Sequence, residues 1–441
     1  MAMITSVEKL QLLGSSAITR RYLQLRFGLI CGEDGGGQGE EASNPLKRKQ
    51  ECGLGLPDLP TRKKLWQAQV PHLYDLVVTH RRSPDIRSFS WPSGAARISK
   101  NAVLQRIVLG SSKALMLAAV RLPWPERLAE ESDRPWEEPA GEEVQPFVRI
   151  TQYMACDGLS TLACSPHEYL LTATQNTSGE VLVFRAADWE VAYQDECRPE
   201  LRLSGEGGPA GLAWTESSSQ LLAANRGGVT GWNIHTGSAT ARFAAGREVT
   251  ALAASSFGNT FIVGCSGGRL AWWDTRVQGL APTGSCDTGH GPVQCAAFAD
   301  VELGSNQLAT GSADGHLQTW DVRQLSAPLC DLSWPGSACG GVTHVAWAPS
   351  GNRMQAAAYG DGRVVLWDPT QRAETAQPVS ESQPGQPPDA KFVHGAHSGQ
   401  DVCGVAWSRD CPWLLASAVR EDLQFWRPSA ALFAAPQALG A

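Results

Sequence analysis

The sequence predicts an all-β chain whose repeated four-stranded units close into a ring, and three observations carry that prediction. First, short alternating segments written in one style stop at Phe184, Trp232, Trp273, Trp320, Trp367 and Trp426, a spacing of roughly 40 to 60 residues that marks an internal repeat. Second, 45 glycines and 27 prolines among 441 residues impose chain reversals too frequent for long helices. Third, a chain that is 42% hydrophobic and 18% charged has the composition of a globular protein with a sizeable core.

Taken in order, residues 1–60 form an extension ahead of the repeats. Its first thirty residues carry Lys9, Arg20, Arg21 and Arg26 against Glu8, a faint transit-peptide character that an amphipathic surface helix would equally explain, and they lack the apolar core of a secretory signal. Cys31 to Pro60 is rich in glycine, glutamate and proline and is expected to be disordered. Lys47, Arg48 and Lys49 are separated by residues 50–61 from Arg62, Lys63 and Lys64, a spacing that suits a bipartite nuclear-import signal. The glycines and prolines of 53–60 break any longer helix, which leaves a short one expected over 61–71.

From residue 72 to residue 432 the pattern is that of seven blades. Residues 72–80 supply a strand with Tyr74, Leu76 and Val78 on one face, placed to complete the last blade and close the ring, because an open sheet edge invites aggregation. Ile86–Trp91, Val103–Gly110 and Ala114–Leu122 belong to the first blade. The loop 125–144 then holds Glu126, Glu130, Glu131, Asp133, Glu137, Glu138, Glu142 and Glu143 against Arg127 and Arg134, which reads as a solvated loop or as a steering surface for basic partners. Six further units follow. The fullest runs from Gly289-His290 through Val293–Phe298, Leu308–Ser312 and the Asp314-Gly315 turn to Leu317–Trp320 and Asp321. A Pro-rich loop spans 372–391 and a tail spans 433–441.

Charge and cysteine usage narrow the function. A net charge of −7 disfavours direct nucleic-acid binding, which needs a basic face. No apolar run reaches the roughly 18 residues of a membrane span. The twelve cysteines contain no C-x-x-C pair, so zinc ribbons and redox motifs lose their spacing and reduced thiols in an intracellular protein are expected.

The dipeptides Trp273-Asp274, Trp320-Asp321 and Trp367-Asp368 resemble those of WD repeats, and the resemblance implies a seven-bladed WD-repeat β-propeller with a short N-terminal helix and a disordered N-terminal extension. In such blades a His, an Asp, a Ser or Thr and the Trp form a buried hydrogen-bonded chain. His290, Asp314, Ser312 and Trp320 fit those slots, so they are read as structure and not as a catalytic triad. His394-x-x-His397 lies in a glycine loop without a third ligand nearby. No enzyme activity, cofactor or metal site is expected.

The segment Lys64–His80 closely resembles the N-terminal segment of the retinoblastoma-binding, chromatin-assembly-factor small-subunit family of histone-binding WD proteins. Gln105–Gly110, Ala118–Pro123, Glu180–Phe184, Pro199–Leu203 and Phe392–His397 follow in that family's order. The resemblance implies binding of histones H3 and H4 and service in nuclear chromatin assembly, deacetylase, Polycomb or remodelling complexes, as a monomeric propeller among other subunits. It also implies two sites. One is a side groove for a histone helix, to which Leu65, Trp66, Pro387, Pro388, Asp389 and Phe392 correspond; the other is an acidic top face, to which Asp157 corresponds. Acidic residues that precede the Pro-Pro pair in relatives are few here, and Leu159 and Thr161 stand where relatives have polar or acidic residues. A competing reading takes Asp274, Arg276, Asp321 and Arg323 as two W-D-x-R boxes of the kind that dock the adaptor of a cullin ubiquitin ligase.

Overall fold

The computed structural model describes Val70 and most residues from Leu73 to Ser429, leaving out 71–72, 81–84, 93–96, 99–101, 124–145, 169–170, 186–198, 206, 216–218, 256–258, 278–280, 300–305, 334–339, 350–352, 370–388, 398–399 and 412. Residues 1–69, most of the helix expected over 61–71, the acidic loop, nearly all of the Pro-rich loop and the tail therefore fall outside the description.

Seven antiparallel sheets stand in a ring. Blade one holds β2 (Ile86–Ser90), β3 (Arg97–Ile98), β4 (Ala102–Ser111), β5 (Ala114–Pro123) and β6 (Phe147–Ala155). Blade two holds β7 (Leu159–Cys164), β8 (Leu171–Asn176), β9 (Val181–Arg185) and β10 (Leu201–Leu203). Blade three holds β11 (Pro209–Trp214), β12 (Gln220–Asn225), β13 (Gly228–Asn233) and β14 (Ser238–Ala244). Blade four holds β15 (Val249–Ala254), β16 (Thr260–Cys265), β17 (Arg269–Asp274) and β18 (Gly284–Asp287). Blade five holds β19 (Val293–Phe298), β20 (Gln307–Ser312), β21 (His316–Asp321) and β22 (Cys330–Ser333). Blade six holds β23 (Val342–Trp347), β24 (Gln355–Tyr359), β25 (Val364–Trp367) and β26 (Ala390–His394). Blade seven joins β27 (Gly404–Trp407), β28 (Leu415–Val419) and β29 (Asp422–Pro428) to the early strand β1 (Tyr74–His80).

The first strand of each blade is innermost. β2, β7, β11, β15, β19, β23 and β27 each pack against the next, and β27 packs against β2, so the ring is closed. Burial follows from this. Inner strand β15 alternates buried and half-buried residues, whereas β24 and β28, covered on both faces by neighbouring blades, are buried throughout. That is why middle strands such as β12, β16 and β24 carry apolar stretches, Leu221–Ala224, Phe261–Val263 and Ala356–Tyr359. The blades also converge toward the axis. A Cβ on Gly264 would lie 2.6 Å from Val293, and one on Gly311 would lie 2.5 Å from Val342, so glycine at this position lets the valine of the next inner strand approach.

Two recurring sets stand out among the described tryptophans. Trp273, Trp320, Trp367 and Trp426, at the ends of third strands, are fully buried between blades. A second set sits at the ends of inner strands: the indole N–H of Trp214 donates to Ala163 O at 3.0 Å, Trp347 to Ala297 O at 2.9 Å, Trp407 to Ala346 O at 3.3 Å and Trp91 to Ala406 O at 3.4 Å. Each acceptor lies in the inner strand of the preceding blade. Side chains of Thr250, Cys295 and Thr343 reach the other way, to Val293 O, Val342 O and Val402 O of the following blade.

β1 runs antiparallel to β29, from Tyr74 opposite Pro428 to His80 opposite Leu423. A bulge between Tyr74 and Leu76 breaks the single face expected for Tyr74, Leu76 and Val78. Tyr74 and Val77 pack with blades six and seven, while Leu76 and Val78 pack with blades seven and one. One inserted residue reverses the alternation of a strand.

Candidate functional site

The junction of blades six and seven gathers the described parts of the expected groove. Val70, Leu73 and Tyr74 share one buried cluster with Ala390 and Phe392 of β26 and Trp426 of β29. Tyr74 meets Phe392 edge-on with ring centroids 5.1 Å apart, and its Oη is hydrogen-bonded to His394 Nδ1 at 2.9 Å. His394 in turn stacks flat on Trp426 at 4.3 Å. Phe392 is only 1% exposed, so this residue, expected as an apolar partner contact, is a core residue beneath the surface. Asp389 is also buried; its carbonyl accepts the N–H of Asp368, which fixes the end of the loop 370–388 against β25. Leu65, Trp66, Pro387 and Pro388 lie outside the described residues, as do Lys47, Arg48, Lys49, Arg62, Lys63 and Lys64.

At the end of the ring where the inner strands begin, Asp157 is exposed in the β6–β7 turn, followed by Gly158 at φ +68° and the buried Leu159. Asp287, Asp314 and Asp401 are also exposed at that end, and four other carboxylates there face arginines. Asp85 pairs with Arg87 at 2.9 Å, Glu180 with Arg202 at 3.6 Å, Glu248 with Arg226 at 3.2 Å and Asp361 with Arg363 at 2.6 Å. Arginines contributed by the same end balance these carboxylates, so the field there is mixed in sign.

The opposite end carries both W-D-x-R boxes, in blades four and five. Each arginine folds back on its own aspartate: Arg276 Nη2 lies 2.6 Å from Asp274 Oδ2, and Arg323 Nη2 lies 2.7 Å from Asp321 Oδ2. The backbone N–H of each arginine also donates to the same carboxylate at 2.9 Å. The arginine side-chain hydrogen bond, followed by that backbone bond, holds each aspartate below its ordinary pKa. The side chains of Arg276 and Arg323 remain 71% and 72% exposed, and Val277 and Leu329 are exposed apolar residues that follow the two boxes in sequence.

Comparison with known proteins adds two findings. The WD domain, G-beta repeat family matches residues 329–368, from just before β22 to just after β25. Over 405 residues, covering 86% of this chain and 92% of the relative, the sequence is 26% identical to the WD-40 repeat-containing protein MSI3 of Arabidopsis thaliana. The chain is a divergent WD-repeat β-propeller. Likeness across so much of both chains supports the resemblance read from Lys64–His80, and the coarse function that follows is that of a WD-repeat scaffold.

The propeller's internal hydrogen-bonded chains differ from the sequence expectation. In blade five Trp320 Nε1 donates to Thr310 Oγ1 at 2.8 Å, not to Ser312, while Ser312 Oγ donates to Asp314. His290 Nε2 is hydrogen-bonded to Asp331 Oδ2 at 2.6 Å, and its Nδ1 lies 3.8 Å from Asp314 Oδ2, too far for a hydrogen bond. The expected His290–Asp314–Ser312–Trp320 chain is thus divided into separate pairs. Blade seven, which ends Trp426-Arg427 without a WD dipeptide, has a continuous one: His397 Nε2 meets Ser417 Oγ at 2.8 Å, and Trp426 Nε1 donates to the same oxygen at 3.0 Å. Burial pushes the His397 pKa down to about 3, so this imidazole is held neutral. His394 bonds Tyr74 through Nδ1, and His397 bonds Ser417 through Nε2.

Proposed function

We propose that the protein is a non-enzymatic scaffold that binds histones H3 and H4 and serves as a subunit of nuclear chromatin assembly, deacetylase, Polycomb or remodelling complexes. The observation that carries this reading is the shared cluster of Val70, Leu73, Tyr74, Ala390 and Phe392. The two family-like stretches, Lys64–His80 and Phe392–His397, have described residues in a single place, which is what a groove built from both requires. Leu65, Trp66, Pro387 and Pro388 are the proposed contacts, with Asp389 at the groove's base and Phe392 supporting it from below. Weak acidity in the Pro-rich loop makes apolar contact the larger part of binding, so affinity should fall less with salt than for an acidic chaperone.

The test is titration of tagged protein with H3 and H4 at two salt concentrations. Wild type should saturate at both, and Leu65→Asp combined with Trp66→Asp should weaken binding at least about tenfold, or about 1.4 kcal/mol. Absence of saturable binding from folded wild-type protein would remove the histone reading. A second reading, adaptor docking in a cullin ubiquitin ligase, is favoured by the matched exposure of Arg276 and Arg323, with Val277 and Leu329 exposed after them in sequence. It requires that Arg276→Ala with Arg323→Ala lose the adaptor while histone binding is unchanged.

A further inference from the structure

We propose that His290, His316 and Asp314, oriented by Asp331, form a binding site for a zinc-class transition-metal dication on blade five. Only His290 and Asp314 are joined by the repeat pattern; the four residues come from three different elements, the connection between β18 and β19, the β20–β21 turn with the start of β21, and the outer strand β22. The fold brings one ligand atom from each of His290, Asp314 and His316 within 4.8 Å of the other two. Two nitrogens bound tetrahedrally to one zinc ion at about 2.0–2.1 Å stand roughly 3.4 Å apart with the ion in the plane of each ring, so closing the set on an ion needs the stacked imidazoles to rotate out of parallel as well as to draw together.

The arrangement around Asp331 is what turns proximity into a site. The two imidazoles stack with centroids 3.6 Å apart and planes 17° apart, and both address the same carboxylate: His290 Nε2 at 2.6 Å from Oδ2, and His316 Nδ1 at 2.9 Å from Oδ1. A carboxylate accepts only, so in the neutral rings those two nitrogens carry the protons. The opposite nitrogens, His290 Nδ1 and His316 Nε2, are left as lone pairs. His290 Nδ1 faces Asp314 Oδ2 at 3.8 Å. A carboxylate behind each ligating histidine is the usual means by which proteins fix ring orientation and tautomer at a metal.

The supporting bonds are already made. Gly291 N–H donates to Asp314 Oδ2 at 2.8 Å, Ser312 Oγ–H donates to Asp314 Oδ1, and Gln318 Nε2 donates to Asp331 Oδ2 at 3.3 Å and to Thr288 O at 3.1 Å. The ligand side chains are 21–43% exposed, which leaves room for water to complete the coordination. Two imidazoles with one carboxylate suit zinc or cobalt and suit magnesium and calcium poorly.

The experiment uses the full chain, freed of metal by chelation and dialysed. Zinc is titrated in competition with a chromophoric chelator, and cobalt is followed by its tetrahedral visible absorption. One equivalent of zinc should bind, magnesium in large excess should not displace it, and cobalt should give the tetrahedral bands. His316→Ala should weaken zinc binding by more than about 100-fold, whereas Asp331→Asn, which removes only the orienting carboxylate, should weaken it by about 10- to 100-fold. Thermal melting of each variant separates loss of a ligand from loss of the fold, and His290→Ala provides a second ligand variant. Wild type with no zinc bound, or zinc bound equally by folded wild type, His316→Ala and His290→Ala, overturns the proposal.

Discussion

Trp320 shows how a blade depends on one side chain. It is fully buried, and its indole N–H has a partner in Thr310. Trp320→Ala should therefore cost about 3 to 5 kcal/mol through the cavity, plus about 1 to 3 kcal/mol for an unsatisfied Thr310. Ser312→Ala should leave that bond intact, and denaturant unfolding of both variants checks the contrast. The sequence identified the tryptophan but misassigned its partner. Thr310 and Ser312 point the same way on β20, yet Trp320 pairs across from Leu308, so its ring reaches Thr310, while Ser312 is one step farther toward the turn. Two buried histidines make a second prediction at this scale. Burial pushes His344 down to about 4 and His397 down to about 3, so the unfolded chain takes up protons that the fold refuses. Their contribution to stability is complete above the unfolded value near 6.5 and is lost as pH falls from there toward the folded values, by about 1.4 kcal/mol per pH unit for each histidine. Melting temperature should drop between pH 7 and pH 5, and His397→Gln should flatten the slope. An unchanged slope in that variant would count against the assignment.

Among the elements, β1 carries the most consequence for its length. It fills the outer position of blade seven, covers β29 and holds Tyr74 against His394. Removing residues 1–60 should leave the melting temperature unchanged, while removing 1–80 should lower it sharply and promote aggregation through the exposed edge of β29. Equal melting of the two truncations would show that β1 does not hold the ring. That a strand belongs here was legible in the alternation of 73–80. Its bulge was not, because an inserted residue shows only when the partner strand is known. Phe392 illustrates the same limit: its neighbours in sequence pointed to a groove, but only the positions of Tyr74 and Trp426 reveal that the ring is beneath the surface.

For the whole molecule, the blades were readable because aromatic residues lie at the ends of six of the seven third strands, at intervals of roughly 40 to 60 residues. The inner-strand tryptophans were not singled out, although Ala213-Trp214, Ala346-Trp347 and Ala406-Trp407 recur in the sequence, because their acceptors lie in other blades. The balance of charge at one end was hidden for a similar reason. Arg226 and Glu248 belong to different connections and meet only once blades three and four are side by side. Likewise His290, His316 and Asp331 acquire meaning as a group only after folding.

The pairing of β1 with β29 also sets a timetable. Tyr74 leaves the ribosome early, and the histidine it bonds follows 320 residues later. At about 5 to 20 residues per second, that wait is on the order of tens of seconds. Throughout it the nascent chain carries an apolar strand without its partner, together with a growing row of blades whose two ends have not met. Chaperones that shield nascent strands have their longest task at β1, and ring closure is a late event of synthesis.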